Sequence, residues 1–240
     1  MPTRVFNIVK APPDNRDRTF KLSKPVTTPD KFSLEHGLPG KVRDQGNEGS
    51  CGGHAYTEFF EMQRHLFWKD LKNPSFDYGT YFSVEAMYWN ARKRMGNTAQ
   101  DTGIDMRAGA QALTLDGICR EEVAPYIDGS FATPISEAAV QESLKHHIGA
   151  YHRVMNSRDA VECIFSGYPI VAGIEVFSSF MSDEVAKTGI VPNPGKGDSS
   201  EGGHAVLGHS YDKTIKIGNS TGGIKFLNSW GPDWGQAGHF

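Results

Sequence analysis

A helix-rich first half followed by a strand-rich second half predicts an α+β fold of two facing layers. Three stretches carry that expectation. Ala55, Phe59, Met62 and Leu66 recur at spacings of four, three and four, the mark of one apolar helix face. Residues 168–176 form a short β-rich run bounded by turn residues, and β-branched runs of that kind are scarce earlier in the chain. Residues 204–211, 214–217 and 224–228 then alternate or run apolar, the last two joined through 218–223 as a hairpin.

Taken in order, residues 1 to about 37 hold Pro2, Pro12, Pro13, Pro25 and Pro29 and no sustained period, which reads as an arm. Residues 38–240 form the main domain, with a helical half over about 51–130 and a β-rich half over about 131–240. The first helix starts at Cys51, where Ser50 is placed to cap it and Gly46, Gly49, Gly52 and Gly53 let the backbone approach closely. Further helices are expected over 83–94, 106–115, stopped by Asp116-Gly117, and 136–146.

Composition narrows the function classes. The 240 residues are 38% hydrophobic, enough for one core. Lys and Arg total 25 against 28 Asp and Glu, a net charge of −3, which argues against a nucleic-acid partner. No apolar run suits a secretory leader or approaches the ~18 residues of a membrane span, so no membrane partner is expected. Cys51, Cys119 and Cys163 cannot build a disulfide framework, and the chain reads as reduced, intracellular or viral.

Cys119 and Cys163, with apolar neighbours, read as small buried hydrophobes. Cys51 differs, because unsatisfied N–H groups at a helix start favour its thiolate. A thiolate nucleophile also needs a proton carrier, a group that orients the carrier, and donors for the oxyanion. Gln45, six residues earlier across a glycine-containing loop, His204 in Gly203-His204-Ala205-Val206-Leu207 and Asn228 in Leu227-Asn228-Ser229-Trp230-Gly231 supply those types.

These segments resemble the papain-like cysteine peptidases. Residues 45–51, QGNEGSC, look like that family's Gln and Cys segment, 203–206 like its His segment, and Asn228-Ser229-Trp230-Gly231 with Trp234-Gly235 and Gly238 like its Asn segment. The likeness spans residue 38 to the end, with weaker agreement at Gly103, Arg107, Ala112 and Pro125-Tyr126, in the manner of microbial and viral members. It implies a helical half packed on a β-barrel-like half, with the site in the cleft between them. Cys51 would be the nucleophile, His204 its acid/base partner and Asn228 the group orienting the imidazole. Gln45 and the Cys51 N–H would form the oxyanion hole, and Trp230 would shield the Asn228 to His204 hydrogen bond. Gly103, Gly173 and Ala205 would bind substrate, the latter two in a roomy pocket for the residue two before the scissile bond.

The expected partner is a peptide or protein substrate, hydrolysed without metal or organic cofactor. A mutually stabilised thiolate and imidazolium is expected, with a cysteine pKa of roughly 3.5–7.5. The family commonly has a disulfide cysteine three positions before the nucleophile and a Trp just after it, where this chain has Glu48 and Gly52, and the missing indole implies an open site. An inactive binding scaffold and an acyltransferase are the competing readings. Neither His204 with His209 nor His146, His147 and His152 have a familiar metal-ligand spacing. For the arm two readings stand: through extended Pro12-Pro13 and Pro25 and apolar Phe20 and Phe32 part of it lies in or beside the cleft and restrains activity, or it packs elsewhere on the surface or stays disordered.

Overall fold

Helix α1 (Cys51–Asp70) runs between the two halves, and its residues explain why. In the computed structural model, which describes residues 4–15, 17–24, 26–70 and 79–240, every residue from Cys51 to Glu58 is buried. A helix buried on nearly all sides must be packed from both directions. On one side Tyr56 and Phe60 enter a core with Phe82, Met87 and Tyr88 of α2 (Val84–Met95) and its approach, together with Ile104, Leu113 and Ile118. On the other, Met62 packs with Ile164 of α5 (Ser157–Phe165) and with Leu207, Tyr211 and Leu227 of the sheet.

Helix α3 (Met106–Gln111) is capped by Asp105 and continues into a π-helical turn over Ala112–Asp116, so the helix expected over 106–115 changes geometry halfway. Helix α4 (Glu137–Ser143), capped by Ser136, is shorter than expected. Helix α5 and α6 (Asp183–Thr188) were not expected. Asn156 and Ser182 cap them, each accepting from a backbone N–H three residues on.

The sheet is antiparallel and built around one long strand, β3 (Ser200–Ile217). One edge of β3 pairs with β2 (Ile170–Phe177) and then with β1 (Lys31–Ser33); the other pairs with β4 (Ser220–Leu227). Register shifts at Val176/Phe177, Gly208/Ser210 and Asp212/Lys216 mark irregular steps in these ladders. Strand β1 lies inside the segment set apart by sequence as an arm, with Phe32 opposite Tyr211. Strand β3 is longer than the alternation implied: it begins at Ser200, with Gly202 and Gly203 paired to β2, and it joins the expected runs 204–211 and 214–217 across the irregular step at Asp212/Lys216. No helix among the described residues is long and apolar enough to cross a membrane.

Candidate active site

The loop that delivers Cys51 to the head of α1 is fixed before it begins. Arg43 makes a two-pronged ion pair with Glu61 of α1, at 2.9 and 2.6 Å, with both side chains buried. Two residues on, the Gln45 backbone N–H donates to Ser229 O at 2.9 Å. The Gln45 side chain is fully buried: its Nε2 donates to Glu48 O at 2.8 Å and its Oε1 accepts from Ser229 Oγ at 2.8 Å. One amide proton occupies Glu48 O, which leaves the second for a ligand oxygen.

His204 stands on β3 opposite Ile174 of β2. Its Nε2 and Asn228 Oδ1 are 2.7 Å apart, and Nδ1 has no hydrogen-bond partner. The Asn bond fixes the proton on Nε2 and leaves Nδ1 as the basic nitrogen. Asn228 follows β4 directly, and its backbone N–H donates to Gly238 O at 2.8 Å. The Trp230 ring lies 5.1 Å from the imidazole, tilted by 32°, within an aromatic group with Phe180, Trp234 and Phe240. Cys51 packs against Ala55 and Ala205, so the thiol lies beside the residue that follows His204.

Sequence reasoning placed Gly173 and Ala205 on one pocket wall, and the structure puts them in register across β2 and β3. Gly103 has φ of +68°, a conformation that disfavours a side chain, and its N–H donates to Tyr88 Oη at 3.1 Å.

What fills the cleft is the arm. Ile8 N–H donates to Gly203 O at 2.9 Å and Val9 N–H to Ile104 O at 3.2 Å, so residues 7–9 are stitched between the two halves. A Cβ on Gly103 would collide with Asn7 O, and one on Gly203 with Ile8 O; the missing side chains admit the arm backbone. Ile8 packs, as Met106 and Val171 also do, on the cluster of Cys51, Ala55 and Ala205, and lies 3.2 Å from where a Gly173 Cβ would stand. The Asn7 amide donates to Asp101 O at 3.0 Å. Phe6 meets the His204 and Trp230 rings edge-on at 5.9 and 5.8 Å, and Arg4 lies over Trp230 while pairing with Asp44 at 2.5 Å.

Several expectations change as a result. Phe20 and Phe32 pack against the core between α1, α5 and the sheet, and the residues that enter the cleft are Phe6 and Ile8. Pro25 lies outside the described residues. The site is closed rather than opened by Gly52: a Cβ there would stand 2.5 Å from Ile104 Cγ1 and 3.2 Å from Ile8 Cδ1. Ser50 does not spend its hydroxyl on the helix start, but lies 2.8 Å from Tyr126 Oη.

In this arm-covered state burial opposes the expected ion pair. Cys51, His204 and Asn228 are all 0% exposed. Burial pushes the Cys51 thiol up to about 11, against backbone hydrogen bonds from Ala205, Gly52 and Asn7 that favour its thiolate. Burial likewise takes the His204 imidazole down to about 4, opposed by Asn228 and reinforced by the Arg4 charge. With the arm seated, burial therefore works against the charged form of both groups.

All three cysteines are free and buried, and no group of three metal-ligating side chains forms among the described residues. A cavity of about 730 Å³ lies on the sheet between Phe177, Phe180, Ile217, Ile224 and Phe226, and none of the candidate catalytic residues lines it. Ser229, Tyr126, Asn7 and Ile8 belong to the site and were not singled out by sequence as its members. The only advance signal was that Ser229 and Tyr126 sit inside segments quoted for the resemblance.

Comparison with known proteins agrees with this geometry. An uncharacterised peptidase C1-like protein of Acanthamoeba polyphaga mimivirus is 32% identical across 99% of this chain and 81% of its own length. A cathepsin B-like protein of Giardia intestinalis is 28% identical across 88% of this chain and 68% of its own. Among solved structures, xylellain, a cysteine protease from Xylella fastidiosa, superposes with a TM-score of 0.83 at 28% identity, covering 98% of this chain and 88% of that one. Procathepsin B S9 from Trypanosoma congolense shares the fold, with a TM-score of 0.72 at 16% identity over 95% of this chain and 76% of its own. Residues 29–240 match the family described as Papain family cysteine protease, and the chain belongs to that family.

Proposed function

We propose that the protein is a thiol-dependent endopeptidase that cleaves peptide bonds through an acyl-enzyme on Cys51. The observation that carries this reading is the His204 Nε2 to Asn228 Oδ1 contact of 2.7 Å, which leaves Nδ1 unpartnered on the residue next to Ala205, against which the helix-head Cys51 packs. In the first step the thiol proton passes to His204 Nδ1 and sulfur bonds to the substrate carbonyl carbon. The oxyanion accepts hydrogen bonds from the free Gln45 amide N–H and from the Cys51 backbone N–H. The C–N bond then breaks as His204 returns the proton to the departing amine. Water, deprotonated by His204, displaces the thiol and releases the acid.

Gly103, Gly173 and Ala205 bind substrate where Asn7 and Ile8 now lie, and the Ile8 contacts favour an aliphatic side chain in the Gly173–Ala205 pocket. By the same token residues 4–9 hold the enzyme latent until they are displaced. Three free thiols suit a reducing compartment.

The test is digestion of an unfolded protein followed by mass spectrometry, with Cys51→Ala as control. Shortened peptides that vanish with the variant support hydrolysis. Cross-linked products would indicate acyl transfer, and no turnover after arm displacement would indicate a scaffold.

A further inference from the structure

The segment from Gln45 to Ser50 contributes two chemical features to the proposed site, the Gln45 amide and the approach to the Cys51 N–H. It has no regular secondary structure before α1 and no disulfide to brace it. It is braced instead by a distant loop. Tyr126 Oη donates to Gln45 O at 2.8 Å and lies 2.8 Å from Ser50 Oγ. A phenol has one proton, so with that proton on Gln45 O the Ser50 hydroxyl is the donor in the second bond. One oxygen thus ties the two ends of the segment together.

The same loop takes further bonds along the segment. Asn47 N–H donates to Asp128, 3.2 Å from each carboxylate oxygen, and Gly129 N–H donates to Glu48 Oε2 at 3.1 Å. From the opposite side Gly49 N–H donates to Asp101 Oδ2 at 2.9 Å. The Tyr126 ring is locked in turn, edge-on to His54 of α1 at 4.9 Å and 81°. These contacts leave Tyr126 short of the reacting atoms while fixing the backbone at both ends of the oxyanion loop.

We propose that Tyr126 is a positioning residue for the oxyanion hole, its hydroxyl holding Gln45 and Ser50 so that the Gln45 amide and the Cys51 N–H converge on one point. The role rests on the peptidase reading above. Transition-state donors must be held to within roughly 0.5 Å to act, so loosening the loop reduces turnover without removing any group that binds ground-state substrate.

The experiment compares full-length wild type, Tyr126→Phe, Gln45→Ala and the double variant on one peptide amide, alongside the rate at which chloroacetamide alkylates Cys51. Direct displacement on the alkylating agent needs no oxyanion donor. Tyr126→Phe keeps the ring and is expected to reduce kcat about tenfold at unchanged KM, with alkylation within about twofold of wild type. In the Gln45→Ala background the same change is expected to cost clearly less than tenfold, because one of the two donors that Tyr126 aligns is already gone.

Ser50→Ala, which removes the other end of the brace, is the second variant should Tyr126→Phe fail to fold, and is expected to reduce kcat about threefold. Unchanged kcat, a parallel fall in alkylation, or a full tenfold loss persisting in the Gln45→Ala background would overturn the role while leaving the peptidase reading intact. Absence of turnover by wild type after arm displacement would overturn both.

Discussion

Two irregular segments meet at Cys51, and they are held in opposite ways. Residues 45–50 are bonded from two sides, with Gln45, Glu48, Gly49 and Ser50 buried and tied to Ser229, Gly129, Asp101 and Tyr126. Residues 4–9 lie across the cleft with intermediate exposure, and Val9 is 48% exposed. Their anchors are two backbone bonds, the Ile8 side chain, Phe6, the Asn7 amide and Arg4, which pairs with the half-exposed Asp44 and reaches Gly46 O and Trp230 O at 3.3 and 3.4 Å. Farther along, Arg107 grips Asp17 at 2.9 and 2.6 Å and Arg153 reaches it at 3.3 Å, outside the cleft. A segment bonded throughout belongs to the machinery, whereas one pinned at intervals can leave while its downstream tether holds.

That contrast breaks first at the nucleophile. Cys51→Ala is expected to abolish turnover, assayed on a peptide amide, and to leave the fold intact by circular dichroism. The thiol it removes is fully buried, so a small change in melting temperature is expected as well. Gln45→Ala attacks the braced segment and should reduce kcat by about 10²–10³, the loss seen when one oxyanion donor goes. An effect confined to KM would remove Gln45 from that role.

The arm should respond in the other direction. Ile8→Asp replaces its apolar anchor with a charge facing Cys51, Ala205 and Met106. Burying such a side chain is worth about 1.5–3 kcal/mol, so kcat/KM should rise by about 10–100-fold and Cys51 should alkylate faster near pH 7. Equal rates in variant and wild type would remove the arm's restraining role. The substitution is a better probe than truncation at residue 38, which would also delete β1 and its pairing with β3.

The smallest effect concerns Glu48. Burial, with Glu85 and Asp101 adding to it, raises this carboxyl to about 7. The folded state therefore binds the proton more tightly than the unfolded chain, and stability falls as pH rises from about 4.5 through 7. Glu48→Gln keeps an acceptor for Gly129 N–H and is expected to be more stable than wild type at pH 8 by on the order of 1 kcal/mol, with no gain at pH 4. Urea denaturation at the two pH values measures it, and a gain of equal size at both would rule out the carboxyl's charge as the cause.

The parts of the site legible in the sequence were those written in contiguous runs. Residues 45–51, 203–206 and 228–231 each carry their chemistry within a few positions; in the structure His204 bonds Asn228, Gln45 bonds the adjacent Ser229, and Cys51 packs on Ala205, all four candidates being buried. Tyr126 and Ser229 were not legible as members, because a hydrogen bond from residue 126 to residue 45 has no period and no spacing rule. The arm's composition allowed an approach to the cleft, but not its anchors: Phe6, Phe20 and Phe32 are equal in size, and nothing in the sequence says that the core beside the sheet takes the latter two. Helix α5 was readable in principle from Asn156 and the Ala160, Cys163, Ile164 spacing, obscured by the charges at Arg158, Asp159 and Glu162.

The Gln45–Ser229 bond joins residues 184 apart, and the loop around it closes through Arg43 O and Gly231 N–H. Such a link carries a high loop-closure cost and forms only when both distant segments are present. On a ribosome, Cys51 emerges with the segment that covers it, long before Asn228 and Gly238 are made. The growing chain therefore holds its thiol without the Asn228 side chain that His204 bonds, and the order of synthesis keeps the candidate site unassembled until nearly all of these residues have left the exit tunnel.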